Sequence, residues 1–337
     1  MNRKRVVVVA PGRGTYTRET TGYLKSGNSS LKNHISWMDN RRKEQGLKTL
    51  SELDNELFKA KSHMVGENAS SLIYACSLSD FFTIDQNKYE IVAITGNSMG
   101  WYTALSLSSA LEIKNGFDLV QKMGSMMKDD IIGGQIIYPM INEKWNLDVN
   151  KRKNIIENIE QCGAYISIIL GGYLVIGGNQ DSLDKLLNIL HKEDKFPFQI
   201  PYHAAFHTPL MKDVSKKAFK KISKSIFNKP SIPLIDGRGY IWTPFSTTSK
   251  DLMDYTLREQ VLSSYNFTAS IEVALKEFCP DNIVLLGPGN SLGGAIGQIM
   301  IENHWLSIGS KIDFVEKQKE DPFLISMGEE SQRRLVC

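Results

Sequence analysis

The chain has 337 residues, of which 42% are hydrophobic and 23% are charged, and this composition is typical of a soluble globular protein. Its formal net charge of +3 is too small to indicate a nucleic-acid partner, and no apolar run approaches the roughly 20 residues that cross a bilayer. The four cysteines lack CxxC spacing and the six histidines form no HExxH-type pair. The sequence therefore predicts a cytoplasmic protein with reduced thiols, no metal site and no membrane segment.

Three short β-branched runs predict buried strands, and each of them ends in a glycine-rich turn. They cover residues 5–12 (RVVVVAPG), 89–96 (YEIVAITG) and 282–289 (NIVLLGPG). The first run follows a basic start, as in a signal peptide, but its apolar part is too short and leads into a Pro-Gly turn. Such strands, separated by helices, indicate a parallel sheet that is covered on both faces and binds ligands beyond its carboxyl ends. We therefore expect the three turns to converge on one site.

The stretch 134–201 has a different pattern. Two strand-like runs (QIIYPMI and YLVIGG) and two amphipathic helical runs predict a small α+β insertion. It would divide a large, discontinuous α/β subdomain into residues 1–133 and 202–310. Residues 311–337 are charged and poorly periodic, so we expect a loop or a loosely packed C-terminal tail.

Ser98 is the candidate nucleophile. It lies in GNSMG (96–100), between the second predicted strand and a helical stretch. A G-x-S-x-G on a sharp strand-to-helix turn exposes the serine hydroxyl, and the N–H groups at the start of the helix can stabilise an oxyanion. The alternative is an ordinary polar residue in a tight turn, because glycine and serine are common there.

Two histidines, His203 and His207, offer a base for this serine. They lie in PYHAAFHTPLM (201–211), which leads into an amphipathic helix. A lone histidine is more often structural than catalytic. His207 is favoured because it lies directly at the start of the helix, where active-site groups collect.

The chain resembles the malonyl-CoA:acyl-carrier-protein transacylase family over roughly residues 5–300. Four motifs in the same order carry the resemblance: the PGQG-like APGRGTY, the GHSLGEYxAL-like GNSMGWYTAL, the xxxHSxxM-like AAFHTPLM and the late LLGPGNSLGG. The family fold is an α/β-hydrolase-like sheet domain with an inserted ferredoxin-like subdomain. The resemblance therefore implies this fold class.

The resemblance also implies a ping-pong acyl transfer with no bound cofactor. Ser98 would attack an acyl-CoA thioester with His207 as general base, and the phosphopantetheine thiol of an acyl-carrier protein would then take the acyl group. The backbone N–H groups of Met99 and Arg13 would form the oxyanion hole. A main-chain carbonyl near Ser263 would orient the histidine.

The chain departs from the family pattern around the acyl group. The family's carboxylate-binding arginine falls on Met123, the elbow glutamate on Trp101 and an asparagine at about Ile169. Together with Phe206, which would crowd an α-branch, these residues would form an acyl pocket for small or linear chains. A thioether cannot pair with a carboxylate, so we expect an acyl group other than malonyl.

Four hypotheses follow. The first is transfer of an uncharged acyl group in fatty-acid or polyketide biosynthesis. The second is malonyl transfer with a substitute cation such as Arg13. The third is hydrolysis of stalled acyl-carrier thioesters, and the fourth is a catalytically silent scaffold. The lysine-rich segment 212–229, including Lys216, Lys217 and Lys220, is a candidate docking face for an acidic carrier protein, or simply a solvated helix face.

Overall fold

The computed structural model describes residues 3–26, 31–127 and 131–337, and its first sheet carries the predicted buried strands. This sheet has six strands, in the order β11-β10-β1-β2-β7-β8. Its strands are β1 (Lys4–Ala10), β2 (Tyr89–Gly96), β7 (Leu234–Ile235), β8 (Ile241–Trp242), β10 (Asn282–Leu285) and β11 (Leu324–Ser326). All neighbouring pairs are parallel except β7 and β8.

The helices cover this sheet on both faces, as the continuous apolar strands require. Val6, Val7, Val8 and Val9 of β1 are fully buried, so neither face of that strand reaches solvent. The helices are α1 (Lys32–Glu44), α2 (Leu50–Asn55), α3 (Ala60–His63), α4 (Gly66–Phe81), α5 (Gly100–Leu107), α6 (Ile113–Ser125), α7 (Val149–Gln161), α8 (Gln180–Ile189), α9 (Lys212–Lys221), α10 (Ser249–Asp254), α11 (Gln260–Leu262), α12 (Phe267–Phe278), α13 (Gly293–Glu302), α14 (Lys311–Glu320) and α15 (Glu330–Val336).

A second sheet of five strands is built mainly from the predicted insertion. Its order is β6-β3-β5-β4-β9, with β3 (Gly134–Pro139), β4 (Tyr165–Leu170), β5 (Tyr173–Gly178), β6 (Phe198–Gln199) and β9 (Tyr265–Asn266). The sequence patterns predicted β3 and β5 but not β4. β9 comes from outside the insertion and pairs in parallel with β4. One face of this sheet packs with helices α7 and α8, and the combination confirms the predicted fold class of a large α/β domain with a ferredoxin-like subdomain.

The prediction of a loosely packed tail at 311–337 is wrong. Strand β11 pairs in parallel with β10 and completes the edge of the first sheet. Arg333 of helix α15 bonds to the buried Asp80 at 2.9 Å, which holds the segment against helix α4. The charges of this segment lie on the outer face of a packed element, and its strand is too short for periodicity to reveal it.

None of the helices in the described part of the chain is long and apolar enough to cross a membrane.

Candidate active site

Ser98 lies at the tip of the turn between β2 and α5, and the glycines on both sides are required there. A Cβ on Gly96 would lie 2.3 Å from the carbonyl carbon of Gly100, and one on Gly100 would lie 2.2 Å from the oxygen of Ala10. Both distances are far inside van der Waals contact, so no side chain fits. The turn holds Ser98 in the left-handed region with φ of 54°, and its side chain lines a cavity.

His207 lies opposite this serine, with its Nε2 2.7 Å from the Ser98 Oγ. Its Nδ1 lies 2.5 Å from the main-chain oxygen of Gln260. A carbonyl oxygen only accepts, so Nδ1 carries the proton and Nε2 presents its lone pair to the serine hydroxyl. The ring is 1% exposed, and this burial lowers the pKa of His207 to about 4, against the opposing effect of the Gln260 bond. The histidine is therefore neutral at pH 7 and suited to act as a base.

Gln260 holds both members of this pair, and sequence reasoning missed it. Besides the main-chain oxygen that faces His207, its side-chain Nε2 donates to the main-chain oxygen of Ser98 at 3.1 Å, and its Oε1 accepts from the Tyr102 hydroxyl at 3.0 Å. Ser263 was the predicted histidine-orienting residue, and that prediction is wrong. Ser263 is exposed, and its N–H bonds to the Glu259 oxygen at 2.9 Å.

The backbone before Gln260 is irregular. The five residues Tyr255–Glu259 form a π-helical segment directly before Gln260. A π-helix takes more residues per turn than an α-helix, so it changes which residue faces the histidine. A match to a short family motif contains no signal for this irregularity.

The predicted oxyanion donors, the N–H groups of Met99 and Arg13, belong to residues that line the same cavity. None of the hydrogen bonds found among the described residues uses either N–H group. Met99 immediately precedes helix α5, where the first N–H groups have no partner within the helix. The role of these two groups as oxyanion donors stays a prediction.

The Arg13 side chain is a half-buried cation in the cavity wall. Its Nη2 donates to the carbonyl oxygens of Met64 and Tyr202, each at 2.8 Å. Its Nε is buried and has no partner among the described residues. Burial lowers the pKa of Arg13 to about 10, so the guanidinium stays charged at neutral pH.

His203 also lines the cavity, but none of the hydrogen bonds found among the described residues joins it to Ser98. Ser167 Oγ donates to the Phe206 oxygen at 2.9 Å and accepts from Gln135 Nε2 at 2.7 Å. The Gln135 Oε1 consequently points at His203 Nδ1, 3.0 Å away. Burial lowers the pKa of His203 well below its usual range, and the charge of Arg13 adds to the effect. His207, not His203, is thus the histidine paired with the serine.

The cavity has a volume of about 530 Å³, and the three glycine-rich turns meet at its wall. Arg13, Ser98 and Leu292 line it, one from each turn, which confirms the predicted convergence. Phe206 also lines it, as does Met123, whose side chain is 3% exposed. Both predicted pocket residues are therefore at the cavity wall.

Trp101 and Ile169 were predicted in the acyl pocket, and the structure places both elsewhere. The Trp101 indole is buried in the protein interior, where its Nε1 donates to Thr256 Oγ1 at 3.0 Å. Ile169 points to the other face of the second sheet, toward helices α7 and α8, whereas its neighbours Ile168 and Leu170 line the cavity. Successive strand residues face opposite sides, so an error of one residue reverses the assignment.

Comparison with known proteins supplies relatives of low identity. No protein-family model matches the chain. A segment of 209 residues is 26% identical to the polyketide biosynthesis malonyl CoA-acyl carrier protein transacylase PksC of Bacillus subtilis (strain 168), covering 61% of this chain and 68% of that protein. The malonyl CoA-acyl carrier protein transacylase of the same organism is 24% identical over 209 residues, covering 60% of this chain and 63% of that protein. The matched segment thus spans about two thirds of either relative.

The fold is also found among solved structures. The crystal structure of the acyl-carrier-protein S-malonyltransferase from Burkholderia pseudomallei 1710b matches with a TM-score of 0.74 and covers 98% of each chain, at 14% sequence identity. At that identity the likeness shows the fold alone.

Proposed function

The curated relatives confirm the resemblance to the malonyl-CoA:acyl-carrier-protein transacylase family, and from this premise we propose that the chain is a serine acyltransferase that acts on carrier-protein thioesters. The observation that carries the proposal is the 2.7 Å contact between Ser98 Oγ and His207 Nε2 at the wall of a cavity. The setting would be fatty-acid or polyketide biosynthesis, in the cytoplasm.

The first half-reaction acylates the serine. His207 Nε2 takes the proton of the Ser98 hydroxyl while Oγ attacks the carbonyl carbon of an acyl-CoA or acyl-carrier thioester. The oxyanion that forms is stabilised by the N–H groups of Met99 and Arg13. The carbon–sulfur bond then breaks, and the thiol leaves with the proton returned by His207. An acyl-serine ester remains.

The second half-reaction reverses these roles. His207 deprotonates the phosphopantetheine thiol of an acyl-carrier protein, and the thiolate attacks the ester carbonyl. The bond to Ser98 Oγ breaks, and Oγ recovers the proton from His207. Each step uses groups of the chain or of its two substrates, so the proposal needs no bound cofactor.

The acyl group carries no free carboxylate on this proposal. Val120 and Met123 of helix α6, and Met127 just after it, line the cavity and are all apolar. A carboxylate placed against them would lose its hydration without gaining a cation. The wall made by α6 therefore favours an uncharged acyl group.

One observation favours a second candidate, malonyl transfer. Arg13 lines the cavity as a charged group whose Nε has no partner among the described residues. A malonyl carboxylate near that Nε would supply the missing acceptor. In this second candidate Arg13 takes the place of the family's arginine.

The carrier protein is proposed to dock on helix α9, which begins five residues after His207. Lys216, Lys217 and Lys220 are exposed on this helix, whereas Val214 and Ala218 are buried. Lys216 is paired with the exposed Asp213 at 3.1 Å. The remaining positive charge suits an acidic partner, mainly by raising the rate of encounter.

The test is to expose the protein to a panel of acyl-CoAs and to measure its intact mass. We expect one acyl group per chain on wild type and none on Ser98→Ala, with the Ser98→Ala fold unchanged by circular dichroism. Ser109→Ala is a matched control, because Ser109 is another serine with positive φ and does not line the cavity.

Adding carrier protein separates the remaining hypotheses. Acyl-carrier product supports the transferase, and free acid in its place would identify a hydrolase. An equal mass shift on wild type and on Ser98→Ala would remove Ser98 from the mechanism, and no acylation under any condition would leave only the scaffold.

A further inference from the structure

A row of apolar side chains crosses the second sheet at the cavity wall. The strand register places Phe198 of β6 opposite Ile137 of β3, Ile137 opposite Val175 of β5, and Val175 opposite Ile168 of β4. Residues directly opposite one another point to the same face of a sheet. All four side chains line the cavity. We call these four residues the apolar row.

The apolar row leads away from the reactive pair. Ile168 is opposite Tyr265 of β9, and the Tyr265 ring lies 5.4 Å from the His207 ring, measured between centroids. One end of the row is therefore next to His207. Since neighbouring strands are about 4.8 Å apart, the three spacings from Ile168 to Phe198 extend over roughly 14 Å.

The far end of the row reaches solvent along an apolar rim. Phe198 is 44% exposed although it lines the cavity, and the same is true of Ile131 at 43% and Tyr202 at 37%. The wall contributed by helix α6 is also apolar, as described for Met123. One side of the cavity thus forms an apolar channel from Ser98 to this rim, while Arg13 and Glu67 lie elsewhere in the cavity wall. A two-carbon acyl group would occupy only the inner end of this channel.

We propose that the acyl group is a long, unbranched, apolar chain that lies along the apolar row from Ser98 toward Phe198. This inference rests on the proposed function and narrows its substrate to medium- and long-chain acyl thioesters. The row supplies a continuous contact surface, and each methylene that leaves water on it strengthens binding in the transition state. Full burial corresponds to about a fourfold gain per methylene, from roughly 0.8 kcal/mol.

The experiment measures kcat/KM for acylation of Ser98 by straight-chain acyl-CoAs of two to twelve carbons. We expect kcat/KM to rise by up to about fourfold per carbon and to level off once the chain reaches the rim. Val175→Phe narrows the channel halfway, so it should lower kcat/KM for the longest chains far more than for acetyl-CoA. Acetylation of this variant also reports that it has folded.

Phe198→Ala provides the second variant, at an exposed position. It should reduce kcat/KM only for chains long enough to reach the rim. Phe245→Ala is its matched control, because Phe245 is 90% exposed and does not line the cavity. This control should leave the whole chain-length profile as in wild type.

Three outcomes would overturn the inference. A profile that is flat or falls with chain length, with Ser98 still acylated by acetyl-CoA, would overturn it while the proposed function stood. If Val175→Phe and Phe198→Ala lowered kcat/KM equally for all chain lengths, the apolar row would bind the pantetheine arm of the substrate and not its acyl chain. Failure of every acyl-CoA to modify Ser98 would overturn the inference and the proposed function together.

Discussion

Replacing Met123 by arginine tests the proposed acyl class most directly. Met123 is 3% exposed and lines the cavity on the apolar face of helix α6. A malonyl carboxylate against this face would be left without a partner, which costs roughly 2 to 5 kcal/mol, or a factor of about 30 to 5,000 in kcat/KM. We expect wild type to prefer acetyl-CoA to malonyl-CoA by a factor near the lower limit, because the cavity is open to solvent at its rim.

Met123→Arg should shift this preference toward malonyl-CoA, but a nearby carboxylate will limit the gain. Glu67 also lines the cavity, and its Oε1 accepts from Ser125 Oγ at 3.1 Å. The carboxylate of Glu67 can neutralise the new guanidinium before malonyl-CoA binds. Met123→Arg combined with Glu67→Gln should therefore favour malonyl-CoA more than Met123→Arg alone, and the apolar control Met123→Leu should keep the wild-type preference.

The assay is rapid quenching followed by intact-mass measurement of acylated protein, with acetyl-CoA and malonyl-CoA in parallel. The reasoning is refuted if wild type takes malonyl-CoA faster and Met123→Arg changes neither rate. The carboxylate would then have another partner, and Arg13→Gln should lower the rate with malonyl-CoA alone.

The other predictions concern the base, its pH dependence and the docking face. His207→Ala should slow acylation by roughly two to four decades, the usual loss for a general base. His203→Ala should slow it much less. If His203→Ala caused the larger loss, His203 would be the base. Since burial lowers the pKa of His207 to about 4, the base is unprotonated above that pH. The kcat/KM for acylation should thus stay level from pH 6 to 8 and fall only in more acidic buffer; a titration near pH 6.5 would contradict a buried imidazole. Changing Lys216, Lys217 and Lys220 to Glu should raise the apparent KM for carrier protein and flatten its salt dependence, and an unchanged KM at low salt would remove helix α9 from the docking site.

The sequence predicted the parts of the site that depend on local structure. Gly96 and Gly100 specify the tight turn that presents Ser98. The motif that contains His207 lies just before helix α9 and was recognisable from the residues around it. The parallel order of the long strands followed from their continuous apolar runs. Each of these features is determined by a few residues that are adjacent in the chain, so it can be predicted from one sequence.

The wrong predictions concern residues where the backbone is irregular or where the side chain packs against residues that are far away in the sequence. Strand β4 has an irregular register between Ile166 and Ile168, where Ser167 is the extra residue, and this changes the side-chain alternation that leads to Ile169. The π-helical segment is a second irregularity, and it directly precedes Gln260, whose carbonyl faces His207. The Trp101 indole lies in the interior, where its ring is 5.2 Å from the Tyr255 ring between centroids. None of these contacts has a local signal in the sequence.

Ser98 and His207 both have a left-handed backbone conformation, with φ of 54° and 61°. For a residue with a Cβ, that conformation costs roughly 1 to 2 kcal/mol, a penalty that glycine avoids. The two residues proposed to carry out the chemistry are therefore also two at which the native fold is weakened. Glycine at Ser98 would relieve this strain and would yield a sturdier protein without its nucleophile, whereas glycine at His207 would also leave a cavity in place of the buried ring.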